Sequence, residues 1–266
     1  VGFDRFERPV RAIRMRRTAW TARLGGALVL AWLPLAAHGE VLSRFDYTVL
    51  RDGEPIGTHR VTVSPAGRNI EVEEQSDVAV TFGPVTFYRM AHLRRELWRD
   101  GVLETLVAQT DKNGDLYHIE ITREPDGYKR VVNGRTERFP PSVKPLALWH
   151  EDLFTYTSFL SPVEDKTFEI SIDFVGAEKL ESVGQSVNAF VYRLSGDTNR
   201  EVWYDADGLI LKVRLLDHSP TIEYVLSATS AAPSPGIQAE AVEAKSVQAN
   251  SASGANGAAV PAGARR

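Results

Sequence analysis

The chain has no cysteine among its 266 residues. That absence excludes disulfides, thiolate metal sites and a lipid anchor on a lipobox cysteine. Long hydrophobic runs are missing too. The apolar stretch Ala27 to Ala37 holds 11 residues, whereas a helix needs roughly 20 to span a bilayer. No G-x-S-x-G elbow, phosphate-binding loop or dinucleotide fingerprint is present, so the common signatures of hydrolases and nucleotide enzymes are lacking. His150-Glu151 begins a zinc-protease pattern, but Phe154 stands where the second histidine is required. Asp111, Asn113 and Asp115 begin a calcium loop, but Gly114 falls fourth instead of sixth and Thr122 occupies the place of the closing glutamate. Neither a metal nor a cofactor is expected. Positive charge is also in deficit: the formal net charge is −4 with an arginine-rich leader included, which argues against nucleic acid as a partner.

What is present begins with an address. Met15 to Gly39 has a basic start (Arg16, Arg17, Arg23), an apolar centre and small residues at Ala37 and Gly39. This reads as an export signal cleaved before Glu40, preceded by an over-extended gene start, and it leaves no transmembrane anchor after cleavage. Residues 1–39 are assigned to that leader, 40–229 to one folded domain, and 230–266 to a tail of Ala, Ser, Gly and Pro. The tail has too little apolar surface to offset its ordering entropy and is expected to be disordered.

The domain is organised around the stretch from Ile70 to Trp98. Ile70, Val72, Val78, Val80 and Phe82 share one parity, and Glu71, Glu73, Gln75, Asp77 and Thr81 the other. Glu74 and Ser76 interrupt the apolar row. A period of two marks a strand with one wet face. At roughly 3.3 Å per residue, the positions from Ile70 to Phe82 reach about 43 Å, and strands of that length twist and coil. A second extended run, Val85 to Trp98, mixes its parities, which calls for a bulge or for cover on both faces. Asp52-Gly53, Asp100-Gly101, Asn113-Gly114, Asp126-Gly127, Asn133-Gly134, Ser195-Gly196 and Asp207-Gly208 punctuate further alternating runs. Only Leu146, Trp149, Leu153, Tyr156 and Leu160 approach helical spacing. The expected fold is all-β: one long curled antiparallel meander, an open half-barrel, with one short helical segment on its concave face.

Several short patterns carry a resemblance. They are Asp52-Gly53, Ile56-Gly57 and His59; Glu96-Leu97-Trp98 with Gly101 and Leu103; Thr110-Asp111 with Asn113-Gly114; Trp203-Tyr204-Asp205 with Gly208; and Glu223-Tyr224. Together they resemble an exported Gram-negative family classed as a domain of unknown function. The resemblance implies a curled antiparallel sheet in the periplasm, similar in outline to lipoprotein carriers of the LolA/LolB type, and it brings no catalytic residue.

The aromatics supply the candidate site. Phe87, Tyr88, Trp98, Trp149, Phe154 and Trp203 are expected to line a ligand cavity in the concave face, the alternative being that they fill an ordinary sheet core. Arg89, Arg94, Arg95 and Arg99 would meet anionic headgroups at its mouth, or form surface pairs with Glu71, Glu73 and Glu74. The function so implied is non-catalytic binding of an apolar or lipid-like ligand, or of an envelope partner. A hydrolase assembled from separate strands is the first alternative, which a histidine and carboxylate cluster in one cleft would favour. A structural interaction module is the second, which an exposed apolar patch without a cavity would favour.

Overall fold

The computed structural model describes residues 43–230 except 67 and 218. The expected export signal and the Ala/Ser/Gly/Pro tail lie outside the described residues. Fifteen strands follow one another: β1 (Ser43–Arg51), β2 (Glu54–Ala66), β3 (Asn69–Phe82), β4 (Val85–Arg99), β5 (Val102–Lys112), β6 (Asp115–Glu124), β7 (Gly127–Val132), β8 (Arg135–Phe139), β9 (Val143–Pro145), β10 (Ser158–Leu160), β11 (Thr167–Ser182), β12 (Gln185–Gly196), β13 (Arg200–Tyr204), β14 (Ile210–Leu215) and β15 (Ile222–Ser230). The turns between them obey simple sterics. Asp52-Gly53, Asp100-Gly101, Asn113-Gly114 and Asn133-Gly134 all take positive φ at both residues, the backbone twist that matches two paired strands.

All fifteen strands lie in one sheet. The chain meanders outward from β1 to the edge strand β8, passes to the opposite edge at β9, and meanders back to β15. There β15 pairs antiparallel with β1, setting Val49 opposite Tyr224. Among the described residues only β9 and β10 pair in parallel. The two edges are thus neighbours in sequence, and the sheet curls into a nearly closed, barrel-like wall. Side chains join the seam. Arg130 on β7 donates to the Lys166 carbonyl at 2.8 Å and lies 3.1 Å from Asp165, while Lys112 reaches Glu164 at 3.2 Å.

The expected helix shrinks to a single 3-10 turn, Glu151–Phe154, packed inside the curl. Leu146 and Leu160 do not stack along a helix face. Leu146 directly follows β9 and Leu160 ends β10, with the Leu146 N–H donating to the Leu160 carbonyl at 3.0 Å. The pairing of β9 with β10 holds both ends of the segment in extended backbone. The mixed parity of β4 has a similar local explanation. Its inward row is Met90, His92, Arg94, Glu96 and Trp98, polar in the middle, and a bulge against β5 falls between Leu97 and Trp98.

Two groups of buried side chains fill the interior. One joins Phe45, Tyr47, Val63, Val72 and Trp98 to residues of β5–β7 and β11–β15. The other surrounds the inner segment: Leu146, Leu153 and Phe159 against Ile170, Tyr192, Leu194, Val202 and Tyr204.

Candidate functional site

Between these groups the barrel is hollow. A cavity of about 680 Å³ is walled by β1–β4 and by β13–β15, with Leu146, Leu148 and Trp149 of the inner segment closing one side. The volume lies within the roughly 300–1,000 Å³ usual for small-molecule sites. Most of the wall is aliphatic or aromatic, as the alternation of β1 to β3 requires: Phe45, Tyr47 and Val49, then Val61 and Val63, then Val72, Val78 and Val80.

One polar band crosses that wall. Tyr47, His59, Ser76, His92 and Thr110 stand opposite one another on five successive strands. His59 Nδ1 is 2.6 Å from Ser76 Oγ, and His92 Nδ1 is 2.8 Å from Thr110 Oγ1. One step along, Glu74 and Arg94 form a buried ion pair. Arg94 Nε also lies 2.9 Å from Glu96 Oε1, and Glu96 accepts from the Trp98 indole N–H at 2.7 Å. Burial sets the charge states. Desolvation lowers His59 and takes His92 down to about 4, so both imidazoles are neutral at pH 7. Desolvation opposes ionisation of Glu74 as well, but Arg94 outweighs it and holds that carboxyl below its ordinary value. Glu96, with desolvation dominant, is pushed up.

The inner segment is fixed firmly. Tyr204 Oη donates to the Leu148 carbonyl at 2.7 Å. His150 stacks on Trp98 with ring centroids 4.3 Å apart and meets the Gly101 carbonyl through Nε2 at 3.0 Å. Trp149 packs edge-on against Trp98 at 4.8 Å. At the other end, the tip of the β3–β4 hairpin stands clear of the barrel, with Phe82 80% and Phe87 66% exposed. Phe87 and Tyr88 line the cavity there, together with Arg51, Lys112 and Arg200.

Of the six aromatics singled out in the sequence, the structure brings Phe87, Tyr88 and Trp149 to the cavity wall. Trp98 lies behind that wall, buried under Trp149 and His150. Phe154 packs into the filled region against Tyr192, with centroids 5.0 Å apart. Trp203 lies against the cations of Lys212 and Arg214, 4.6 and 5.3 Å from its ring, and donates to Glu178 at 2.6 Å.

The arginines divide by parity. Arg94 points inward to Glu74, with 6% of its side chain exposed, while Arg95 points outward to Glu73, with 68% exposed. Neither Arg89, Arg95 nor Arg99 lines the cavity. Wall residues not expected there from the sequence are His59, Ser76, His92, Arg94, which was expected at the mouth, and Arg200. The signal for the first four was the break at Glu74 and Ser76, repeated at the same height on β2 and β4. Arg200 left no such trace.

A search of the curated proteins finds no match. Among solved structures, the chain is similar to a β-barrel-like protein of a domain of unknown function, DUF1849, from Brucella abortus. The two share 10% identity at a TM-score of 0.57, over 73% of this chain and 99% of that one. At that identity the likeness concerns the fold alone. Over residues 47–227 the chain matches the family model of DUF6134, a domain of unknown function, and it belongs to that family.

Proposed function

We propose that this protein is exported to the periplasm and binds an apolar or lipid-like ligand in its barrel, without catalysing a reaction on it. The observation that carries this reading is the 680 Å³ cavity with largely apolar walls inside a sheet that could have collapsed onto its own side chains. The export signal supports the compartment. The likeness in outline to LolA/LolB-type carriers belongs to the same reading, with an envelope protein as donor or acceptor of the ligand. Native mass spectrometry of protein isolated from the periplasm is expected to show a co-purifying amphiphile. Protein that is absent from the periplasmic fraction, or that arrives empty and takes up no fluorescent apolar probe, overturns the proposal.

The Ser76–His59 contact favours a second reading, a hydrolase with Ser76 as nucleophile, neutral His59 as base and Glu74 beside it. Against it, Ser76 lies mid-strand between two paired neighbours. The ladders engage the backbone donors that would hold an oxyanion. Turnover of a chromogenic acyl ester that disappears in Ser76→Ala would establish the hydrolase; turnover at the blank rate in both proteins leaves the binding reading in place.

A further inference from the structure

The cavity wall is not electrically balanced. Four lining residues are basic (Arg51, Arg94, Lys112, Arg200) and two are acidic (Glu74, Glu164). Glu74 neutralises Arg94, and Glu164 meets Lys112. Arg51 and Arg200 remain, in a chain whose overall charge is negative.

Register locates the two. Arg200 stands opposite Leu215, Leu215 opposite Ile222, and Ile222 opposite Arg51. All four line the cavity, so two guanidinium groups flank an apolar pair across four strands. Three strand spacings put their backbones roughly 14 Å apart.

Arg51 is exposed and solvated at the rim. Arg200 is half-buried, and its desolvation pushes the guanidinium below its ordinary value. Its hydrogen bonds are both to one neutral acceptor, Thr198 Oγ1, from Nε at 3.2 Å and from Nη2 at 2.7 Å. The carboxylate that acts on it most strongly, Asp217, accepts from the Asn199 backbone N–H at 2.8 Å and from Asn199 Nδ2 at 2.7 Å. Among the described residues Arg200 has no ion pair. Tyr224, another wall residue, is near enough to influence its charge, and the Tyr224 phenol is kept protonated by burial. A desolvated cation without a counter-ion is costly, and guanidinium recognises planar and tetrahedral oxyanions with paired N–H donors.

We infer that Arg200, assisted by the Tyr224 hydroxyl, seats the anionic head of a single-chain amphiphile whose apolar chain occupies the cavity. This deepens the proposed function and rests on it. The ligand class is a long-chain carboxylate or alkyl phosphate; a neutral lipid would leave the guanidinium unmatched.

The test is titration of the full chain, monitored by displacement of a fluorescent apolar probe. Three ligands of equal chain length are compared: a hexadecyl-length carboxylate, the corresponding alkyl phosphate and the corresponding alcohol. Wild type is expected to prefer at least one of the two anions over the alcohol by tenfold or more. The carboxylate and phosphate arms then distinguish the source of the head. In Arg200→Gln that preference is expected to fall to within about twofold while alcohol affinity is retained, which also reports an intact cavity. Arg51→Gln is expected to keep the preference. Equal binding of all three ligands to wild type overturns this inference and leaves the cavity reading standing. Failure of every ligand, together with failure of the probe to bind, removes the cavity reading itself. Should Arg200→Gln not fold, the wild-type carboxylate preference read against pH decides. It must vanish as the bound head is protonated, and a preference indifferent to acid overturns the inference.

Discussion

The barrel has a filled side and a hollow side, built from the same alternating strands. On the filled side, Leu153, Phe159 and Leu146 press onto β11–β14, and Phe154, Tyr192 and Tyr204 meet edge to face at 5.0–6.0 Å. On the hollow side, β2–β4 carry valines interrupted by the band of His59, Glu74, Ser76, His92 and Arg94. Apolar rings fill space without needing exact partners. Buried ionic groups demand fixed partners, and Arg94 finds one more on the inner segment, donating to the Leu146 carbonyl at 3.4 Å. The difference is that the face left open carries polar groups with fixed partners, whereas the filled face carries rings and aliphatic side chains.

That contrast can be broken, and the largest effect is expected at Arg94. Arg94→Met leaves Glu74 buried and uncompensated beside Glu96, at a cost of about 3–5 kcal/mol. Urea denaturation measures it. Arg95→Ala is the control, since it removes only an exposed pair with Glu73 and is expected to cost less than about 1 kcal/mol.

On the filled side, Leu153→Ala opens a hole in close-packed surroundings and is expected to cost about 3 kcal/mol. The same experiment on Val78→Ala, a hollow-side residue that already faces free space, is expected to cost about 1 kcal/mol. Equal costs after allowance for side-chain size would mean that the two sides are packed alike.

The polar band also makes stability depend on pH. His92 in the folded protein titrates near 4, against 6.5 when free. Between those values the unfolded chain binds a proton that the folded chain refuses. The stabilising contribution is therefore complete above about pH 6.5 and lost as pH falls toward 4, on the order of 3 kcal/mol in all. Glu74, Arg94, His59 and Thr110 surround the ring, and burial lowers His59 in the same direction. Denaturation midpoints at pH 7 and pH 5 should fall farther apart in wild type than in His92→Gln.

The smaller test concerns the mouth. Phe87→Ala removes an exposed lining ring at a bulged position, where β4 departs from register with β3. Stability is expected to change by less than about 0.5 kcal/mol. Uptake of the apolar probe is the readout that gives this residue a role.

Much of the fold was legible. The period-two runs named the strands, and Asn-Gly and Asp-Gly pairs named most turns, because positive φ at both positions leaves few alternatives. Val183-Gly184 escaped notice, since a valine at φ +49° has no sequence signature; the length of β11, with its bulge at Gly176, went unseen with it. Helical spacing across residues 146–160 misled, because a short apolar segment buried on several sides has no single face for periodicity to report.

The candidate site was legible only in part. Sequence alone determined the alternation, the turns and the break at Glu74 and Ser76, since each depends on a residue and its near neighbours. Which side of β4 faces inward was decided by tertiary structure, because only the meeting of Glu74, Arg94 and Glu96 makes that charged row buriable. The closure of β1 on β15 was decided there too. It set Arg51 and Arg200 in one row, although they stand far apart along the chain and no local pattern links residues that meet only when the sheet curls.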